Sequence, residues 1–301
     1  MTSEYSMAVP RYEVIDGLRI RYVRSAESSN VPVLMTTPWR ESIFAFHAIW
    51  PKLVEQWSLV AIDLPGFGQS QSRPDVLEPR VMGAFLRKAI DKLGLERPHI
   101  VAPDVGTSAA LYAAVDTSKL ITSITVGAGA IGERLVANTL KTILDSPDTS
   151  AFDGIDGAHI VTRSIPKLMQ MQPTKIVMDD YRASYAANRF VESMAYVRSY
   201  PTSLPTLRGL LQEIELPVAV LFGRNDPIVL PADAEILERE LRHRKLVSFE
   251  CGTSCGKIVH RNTPRLCTIG WQAVTARYGR CLAPRLVTSL WIREEDIHDD
   301  V

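Results

Sequence analysis

The stretch VAPDVGTSAA places Asp104 between an apolar run and a run of small residues. A carboxylate taken out of water is costly unless it is hydrogen-bonded or put to chemical use. At a bend from strand to helix, two uses exist. The side chain can cap the helix that starts at Val105, or it can act as a nucleophile. Small residues on either side, Ala102 and Gly106, let neighbouring backbone pass closely at a sharp turn. Such a turn lifts the central side chain above the sheet and directs the N–H of Val105 toward a developing oxyanion. The helix N-terminus also favours negative charge there. A second carboxylate, Asp226, follows the apolar run of PVAVLFGRNDPIV. It closes the strand as an Asx turn before Pro227, a role compatible with serving as an acid at the sheet edge that carries Asp104.

These residues need a scaffold. YEVIDGLRIRYVRS (12–25) alternates around Asp16-Gly17, the pattern of a hairpin. The continuous apolar runs in VPVLMTT, WSLVAIDLPGFGQS, HIVAPD, LITSITVGAG and PVAVLFG read as buried strands, and KLVSFE as the last one. Residues 43–56 read as a helix. PRVMGAFLRKAIDKLGL sets Val81, Phe85, Ile90 and Leu93 along one helix face and stops near Gly94. Buried strands alternating with amphipathic helices define an α/β domain with a mainly parallel sheet. Between 129 and 213 the rhythm changes to helix-like runs, punctuated by Pro166, Pro173, Pro201 and Pro205. The expected organisation is a core domain over 1–128 and 214–301, with 129–213 inserted as a helical cap.

Composition excludes several classes. Lys plus Arg and Asp plus Glu number 34 each, so nothing marks a nucleic acid or other polyanion as partner. No apolar stretch approaches the ~18 residues of a membrane span. The early residues carry acids and lack the apolar centre of a signal peptide, so a cytoplasmic protein is expected. All four cysteines, Cys251, Cys255, Cys267 and Cys281, lie near the C-terminus with spacings that match no common zinc pattern. No metal or cofactor is called for, and the expected partner is a small hydrophobic substrate.

In chain order, MTTPWRES, LVAIDLPGFGQS, Asp104 at its bend and FGRNDPIV form a recognisable series. Over about residues 10–250 the chain resembles the α/β-hydrolase fold superfamily. Within it, the chain looks like the lidded epoxide hydrolases and haloalkane dehalogenases, in which aspartate replaces a nucleophilic serine. The segment YRASYAANRFVESMAYVRSYP, with Tyr181, Arg182, Arg189 and Pro201, looks like that subgroup's lid helices. The resemblance implies a hydrolase that opens small hydrophobic epoxides through an alkyl-enzyme ester on Asp104. Asp226 would orient the base that activates water for ester hydrolysis. The N–H of Val105 and one donor from Thr37 to Trp39 would hold the oxyanion. Lid tyrosines protonate the departing oxygen in the epoxide hydrolases. This lid offers Tyr181, Tyr185, Tyr196 and Tyr200, and the first two stand at a spacing that shares a helix face. Dehalogenation or ester hydrolysis is the alternative, although Val105 lacks the indole N–H commonly found after the nucleophile and only Trp39 offers one nearby.

The chain departs from the pattern after about residue 250. Where the family has Gly-His, one alignment places Thr253 and another Lys257. Threonine has no basic group near neutrality, and lysine would need strong desolvation. His260 is the nearest histidine. A catalytically impaired or non-catalytic pocket protein is therefore a further reading. Codon degeneracy offers an origin for the departure. One permitted encoding of Cys251–Ser254, shifted by one nucleotide, reads Ala-Gly-His-Leu. Another, over Cys255–Trp271 and shifted by two, reads a string similar to the family's terminal helix. The gene's nucleotide sequence decides whether those codons are the ones used.

Overall fold

The computed structural model describes residues 7–26, 31–116, 118–132, 138–169 and 172–249. Thr253, Lys257, His260 and the four cysteines lie outside them.

The chain opens with β1 (Arg11–Ile15) and β2 (Leu18–Arg24), which pair antiparallel. Asp16 and Gly17 join them with φ of 53° and 75°, the double left-handed conformation of a two-residue hairpin turn. Next come β3 (Pro32–Thr36), the short α1 (Trp50–Leu53), β4 (Ser58–Ile62) and α2 (Pro79–Lys92). They are followed by β5 (His99–Pro103), α3 (Val105–Asp116) and β6 (Ser123–Gly127). Five helices then intervene: α4 (Asn138–Asp145), α5 (Gly157–Leu168), α6 (Lys175–Ser184), α7 (Arg189–Arg198) and α8 (Tyr200–Leu210). The sheet resumes with β7 (Val218–Gly223), α9 (Pro231–Glu240) and β8 (Arg244–Phe249). The eight strands form one sheet in the order β1-β2-β4-β3-β5-β6-β7-β8, parallel from β4 onward and antiparallel at the β1-β2 edge.

Parallel strands all end at the same sheet edge. That edge therefore gathers the loops after β3, β4, β5, β6 and β7, which is where ligands bind in open α/β sheets. Asp104 and Asp226 both lie on it. The strands carry continuous apolar runs because helices cover both faces. On α2 the buried side is Met82, Phe85, Leu86, Ala89 and Ile90, whereas Val81 is 39% exposed, so the covered face is rotated from the expected one. The helix ends at Gly94, with φ of 63°.

Two expectations need correction. Residues 43–56 do not form one helix: a 3-10 turn over Ile43–Phe46 and the four-residue α1 replace it. Pro51 lacks the N–H that a continuing helix needs, and the N–H of Ile43 is taken by Asp63 Oδ1 at 2.8 Å. Of the punctuating prolines, Pro166 and Pro205 lie within α5 and α8, each removing one helical hydrogen bond without ending the helix. The run through 174–200 is broken between α6 and α7, where Ala187 has φ of 52°.

A buried carboxylate ties the inserted helices to the sheet. Asp63, at the end of β4, is fully buried. Its oxygens accept the N–H of Ile43 and of Gln69 (2.8 Å each) and the hydroxyl of Thr37 (3.2 Å). Arg21 on β2 reaches Asp63 at 3.4 Å and also donates to both oxygens of Asp180 on α6. Ser42 donates its hydroxyl to Asp180 as well. Burial pushes the Asp63 pKa up to about 6, against the pull of Arg21 and the two N–H donors. Gly68 passes so close that a Cβ there would meet the Asp63 carboxyl carbon at 2.0 Å. Arg189 on α7 adds a tie by donating to the carbonyls of Gly68 (2.6 Å) and Ser70 (2.7 Å). No helix among the described residues is long and apolar enough to cross a membrane.

Candidate active site

β5 ends at Pro103 and α3 begins at Val105, leaving Asp104 alone in the turn with φ of 54°. A non-glycine residue with positive φ is uncommon, and aspartate is among the types that tolerate it. The turn is pinned on both sides. The N–H of Asp104 donates to the carbonyl of Gly127 (2.7 Å), and the N–H of Thr107 donates to the carbonyl of Asp104 (2.9 Å). Gly106 is required by proximity, since a Cβ there would meet Thr36 Oγ1 at 2.1 Å.

The Asp104 side chain does not merely cap α3. Its Oδ2 accepts the N–H of Trp39 at 2.7 Å. Of the candidates Thr37 to Trp39, Trp39 is thus the donor that reaches the carboxylate. Thr37 is excluded, because its N–H donates to the carbonyl of Ile62 (3.1 Å) and its hydroxyl to Ile62 and Asp63. Val105 is the first residue of α3, where a helix leaves its N–H groups without intrahelical partners.

Asp104, Val105 and Trp39 line a cavity of about 40 Å³. Leu140, Ile165, Val197 and Tyr200 from the inserted helices form much of its wall. Tyr181 and Tyr185 are not in that wall. The Tyr181 hydroxyl donates to Glu41 (3.2 Å), and the Tyr185 hydroxyl accepts the N–H of Arg40 (3.0 Å). Both rings are completely buried. The Tyr196 hydroxyl donates to the carbonyl of Val105 (2.9 Å) and contacts Ser108 (3.1 Å). Tyr200 is the tyrosine in the cavity wall, and its hydroxyl has no hydrogen-bond partner among the described residues. Burial above all, then Tyr196 and Asp104, hold its pKa well above the ordinary tyrosine value, so the hydroxyl stays neutral. The break between α6 and α7 separates the orientations of these tyrosines, which spacing within one continuous helix did not anticipate.

Trp39 donates its indole N–H to Ser193 (2.8 Å) and stacks on Phe190. That donor is committed to α7 and does not stand ready for a halide.

Asp226 lies just past β7, with Oδ1 accepting the N–H of Ile228 (2.8 Å) and Val229 (3.0 Å). This is the Asx turn. Asp226 lies at the sheet edge that carries Asp104 and lines a second cavity, which shares Val229 with the first. The histidines among the described residues do not line either cavity. His99 begins β5 at the opposite sheet edge, beside Ser123 (2.7 Å), and burial lowers its pKa to about 4.

Asp233, unremarked in the sequence because it sits among charges at the start of α9, lines the second cavity beside Asp226. Its Oδ1 accepts the N–H of Ile131 (2.6 Å) and Gly132 (2.8 Å), where the chain leaves β6 for the inserted helices. Its Oδ2 has no partner among the described residues. Burial raises the pKa from 3.8 to about 6, opposed by the two N–H donors and reinforced by Asp226. The folded chain therefore holds this proton more tightly than the unfolded one, and stability falls as pH rises from about 4 to about 6. Asp233→Asn keeps an acceptor for both N–H groups and removes the charge. It is expected to raise the melting temperature at pH 8, by at most about 3 kcal/mol of stability, with the gain vanishing by pH 4. Melting curves across that range test it, and a pH-independent difference would contradict it.

Residues 37–254 match the family profile described as the alpha/beta hydrolase fold, and the chain belongs to that family. Epoxide hydrolases are among its sequence relatives, and haloalkane dehalogenases share its fold. A soluble epoxide hydrolase of Corynebacterium sp. (strain C12) is 30% identical over 108 residues, covering 36% of this chain and 37% of that protein. The chain thus matches little more than a third of that relative's length. Among solved structures, haloalkane dehalogenase DbeA from Bradyrhizobium elkani superimposes with a TM-score of 0.74 at 19% identity, covering 89% of this chain and 99% of that one. An epoxide hydrolase gives a TM-score of 0.67 at 16% identity over 89% and 99%.

Proposed function

We propose that this chain captures small hydrophobic epoxides as an alkyl ester on Asp104, with the inserted helices acting as a cap. The observation that carries the reading is one largely aliphatic cavity holding both Asp104, bound to the Trp39 N–H at 2.7 Å, and the Tyr200 hydroxyl, which has no hydrogen-bond partner among the described residues. An Asp104 oxygen attacks a ring carbon and the carbon–oxygen bond of the epoxide breaks. The departing oxygen takes the Tyr200 proton, and the tyrosinate recovers a proton from water. The N–H groups of Trp39 and Val105 would hold the oxyanion when the ester is later attacked. Asp226 is the acid that would orient a base for that second step. Dehalogenation has weaker support, since the Trp39 indole is bonded to Ser193.

Thr253 in the histidine slot makes ester breakdown slow. Incubation with a reactive epoxide such as styrene oxide is expected to yield at most one equivalent of reaction and a lasting mass adduct on the peptide carrying Asp104. Intact-mass spectrometry reads this directly. Rapid multiple turnover without an adduct would overturn the stalled ester and point to His260 as the base. Neither adduct nor turnover would leave a non-catalytic pocket.

A further inference from the structure

The loop that presents Trp39 to Asp104 continues into Arg40, a residue that functional assignment by motif passes over. Arg40 has φ of 69°, left-handed backbone that a non-glycine residue adopts at a cost. Its guanidinium lies 5.6 Å from the Trp39 ring centroid, and the residue lines the Asp104 cavity. Among the described residues it has no hydrogen-bond or ion-pair partner for its side chain. The other arginines at the junction with the inserted helices are engaged. Arg21 binds Asp63 and Asp180, Arg189 binds the carbonyls of Ser184, Gly68 and Ser70, and Arg198 binds those of Ile143, Ser146 and Pro147.

The wall around Arg40 is mostly aliphatic. Its charged members among the described residues are Arg40, Asp104 and Glu41, and Glu41 accepts the Tyr181 hydroxyl. Two carboxylates would repel an anionic ligand. A half-buried guanidinium offsets that repulsion, and its planar fork of donors matches a carboxylate in a bidentate pair.

We propose that the substrate carries a carboxylate, which Arg40 pairs while Asp104 attacks its epoxide ring and the aliphatic wall takes its hydrocarbon. This rests on the epoxide reading above and adds a substrate class to it: small epoxy acids. The backbone supplies a clean variant. Arg40→Gly removes the guanidinium, keeps the N–H bonded to Tyr185, and relieves the left-handed conformation.

The test compares 2,3-epoxybutanoate with its isosteric neutral amide, following the Asp104 adduct by intact mass. The wild-type chain is expected to form the adduct at least tenfold faster with the acid. Arg40→Gly is expected to lose that preference, the ratio of acid to amide rates falling to about one. Equal rates in the wild type, or an unchanged preference in Arg40→Gly, would overturn the proposal. Unreactive butanoate gives a readout that needs no chemistry. It should perturb the Trp39 indole resonance in the wild type and not in Arg40→Gly, whereas butanamide should perturb neither. Butanoate binding without any adduct would sustain the carboxylate site and reject the epoxide reaction. Absence of butanoate binding would reject the site even if neutral epoxides react.

Discussion

Asp104→Asn is expected to abolish covalent capture of epoxides, lowering ester formation by a factor on the order of 10⁴ or more. An amide oxygen is a poor nucleophile, so the loss falls on the chemical step. The fold should survive it. Asparagine tolerates left-handed backbone as aspartate does, and its amide oxygen still accepts the Trp39 N–H that Oδ2 holds at 2.7 Å. Intact-mass spectrometry after epoxide treatment should show unmodified protein, while thermal melting changes little. An adduct that persists in Asp104→Asn would place the nucleophile elsewhere.

Tyr200→Phe is expected to slow ester formation by 10²–10⁴-fold, the usual contribution of a positioned general acid. The ring packs edge-on against Tyr196 at 5.8 Å between centroids, and phenylalanine preserves that contact. Because Tyr200 stays neutral far above neutrality, the wild-type rate should show no fall between pH 7 and pH 9 from loss of this proton. Tyr181→Phe and Tyr185→Phe remove hydroxyls bonded to Glu41 and to the Arg40 N–H. They should alter stability more than rate. Single-turnover adduct formation separates these cases, and an unchanged rate in Tyr200→Phe would eliminate it as the acid.

The sheet was legible because each parallel strand is a continuous apolar run closed by a turn, and β3 through β7 all carry that signature. Asp104 was legible for a related reason: a carboxylate isolated between a strand and a run of small residues has few places to go. The tyrosine was not. Choosing Tyr200 over Tyr181 depends on how α6 and α8 are turned relative to each other, which is set by the four-residue break at Tyr185–Asn188 and by the junction of α7 and α8 at Ser199. Arg40 and Asp233 were invisible for the opposite reason. Neither belongs to a sequence motif, so their significance arises only from a wall or an N–H pair contributed by distant segments. The second cavity beneath Asp226 likewise comes from packing of β6, β7 and α9, which periodicity does not encode.

The ties between sheet and inserted helices bear on how the protein comes apart. Asp180 on α6 is held through Arg21 to Asp63 on β4, α7 is held through Arg189 to the turn after β4, and Tyr196 is bonded to the first residue of α3. Releasing the inserted helices would part Arg21 from Asp180 and Arg189 from the carbonyls of Gly68 and Ser70, and losing one partner of a buried charge pair costs far more than losing surface contacts. On these ties, α6 and α7 are expected to unfold together with the parallel sheet as one cooperative unit. Amide hydrogen exchange in α6 and α7 should proceed by the same opening as exchange in β4 and β5, rather than by separate fraying of an independent subdomain.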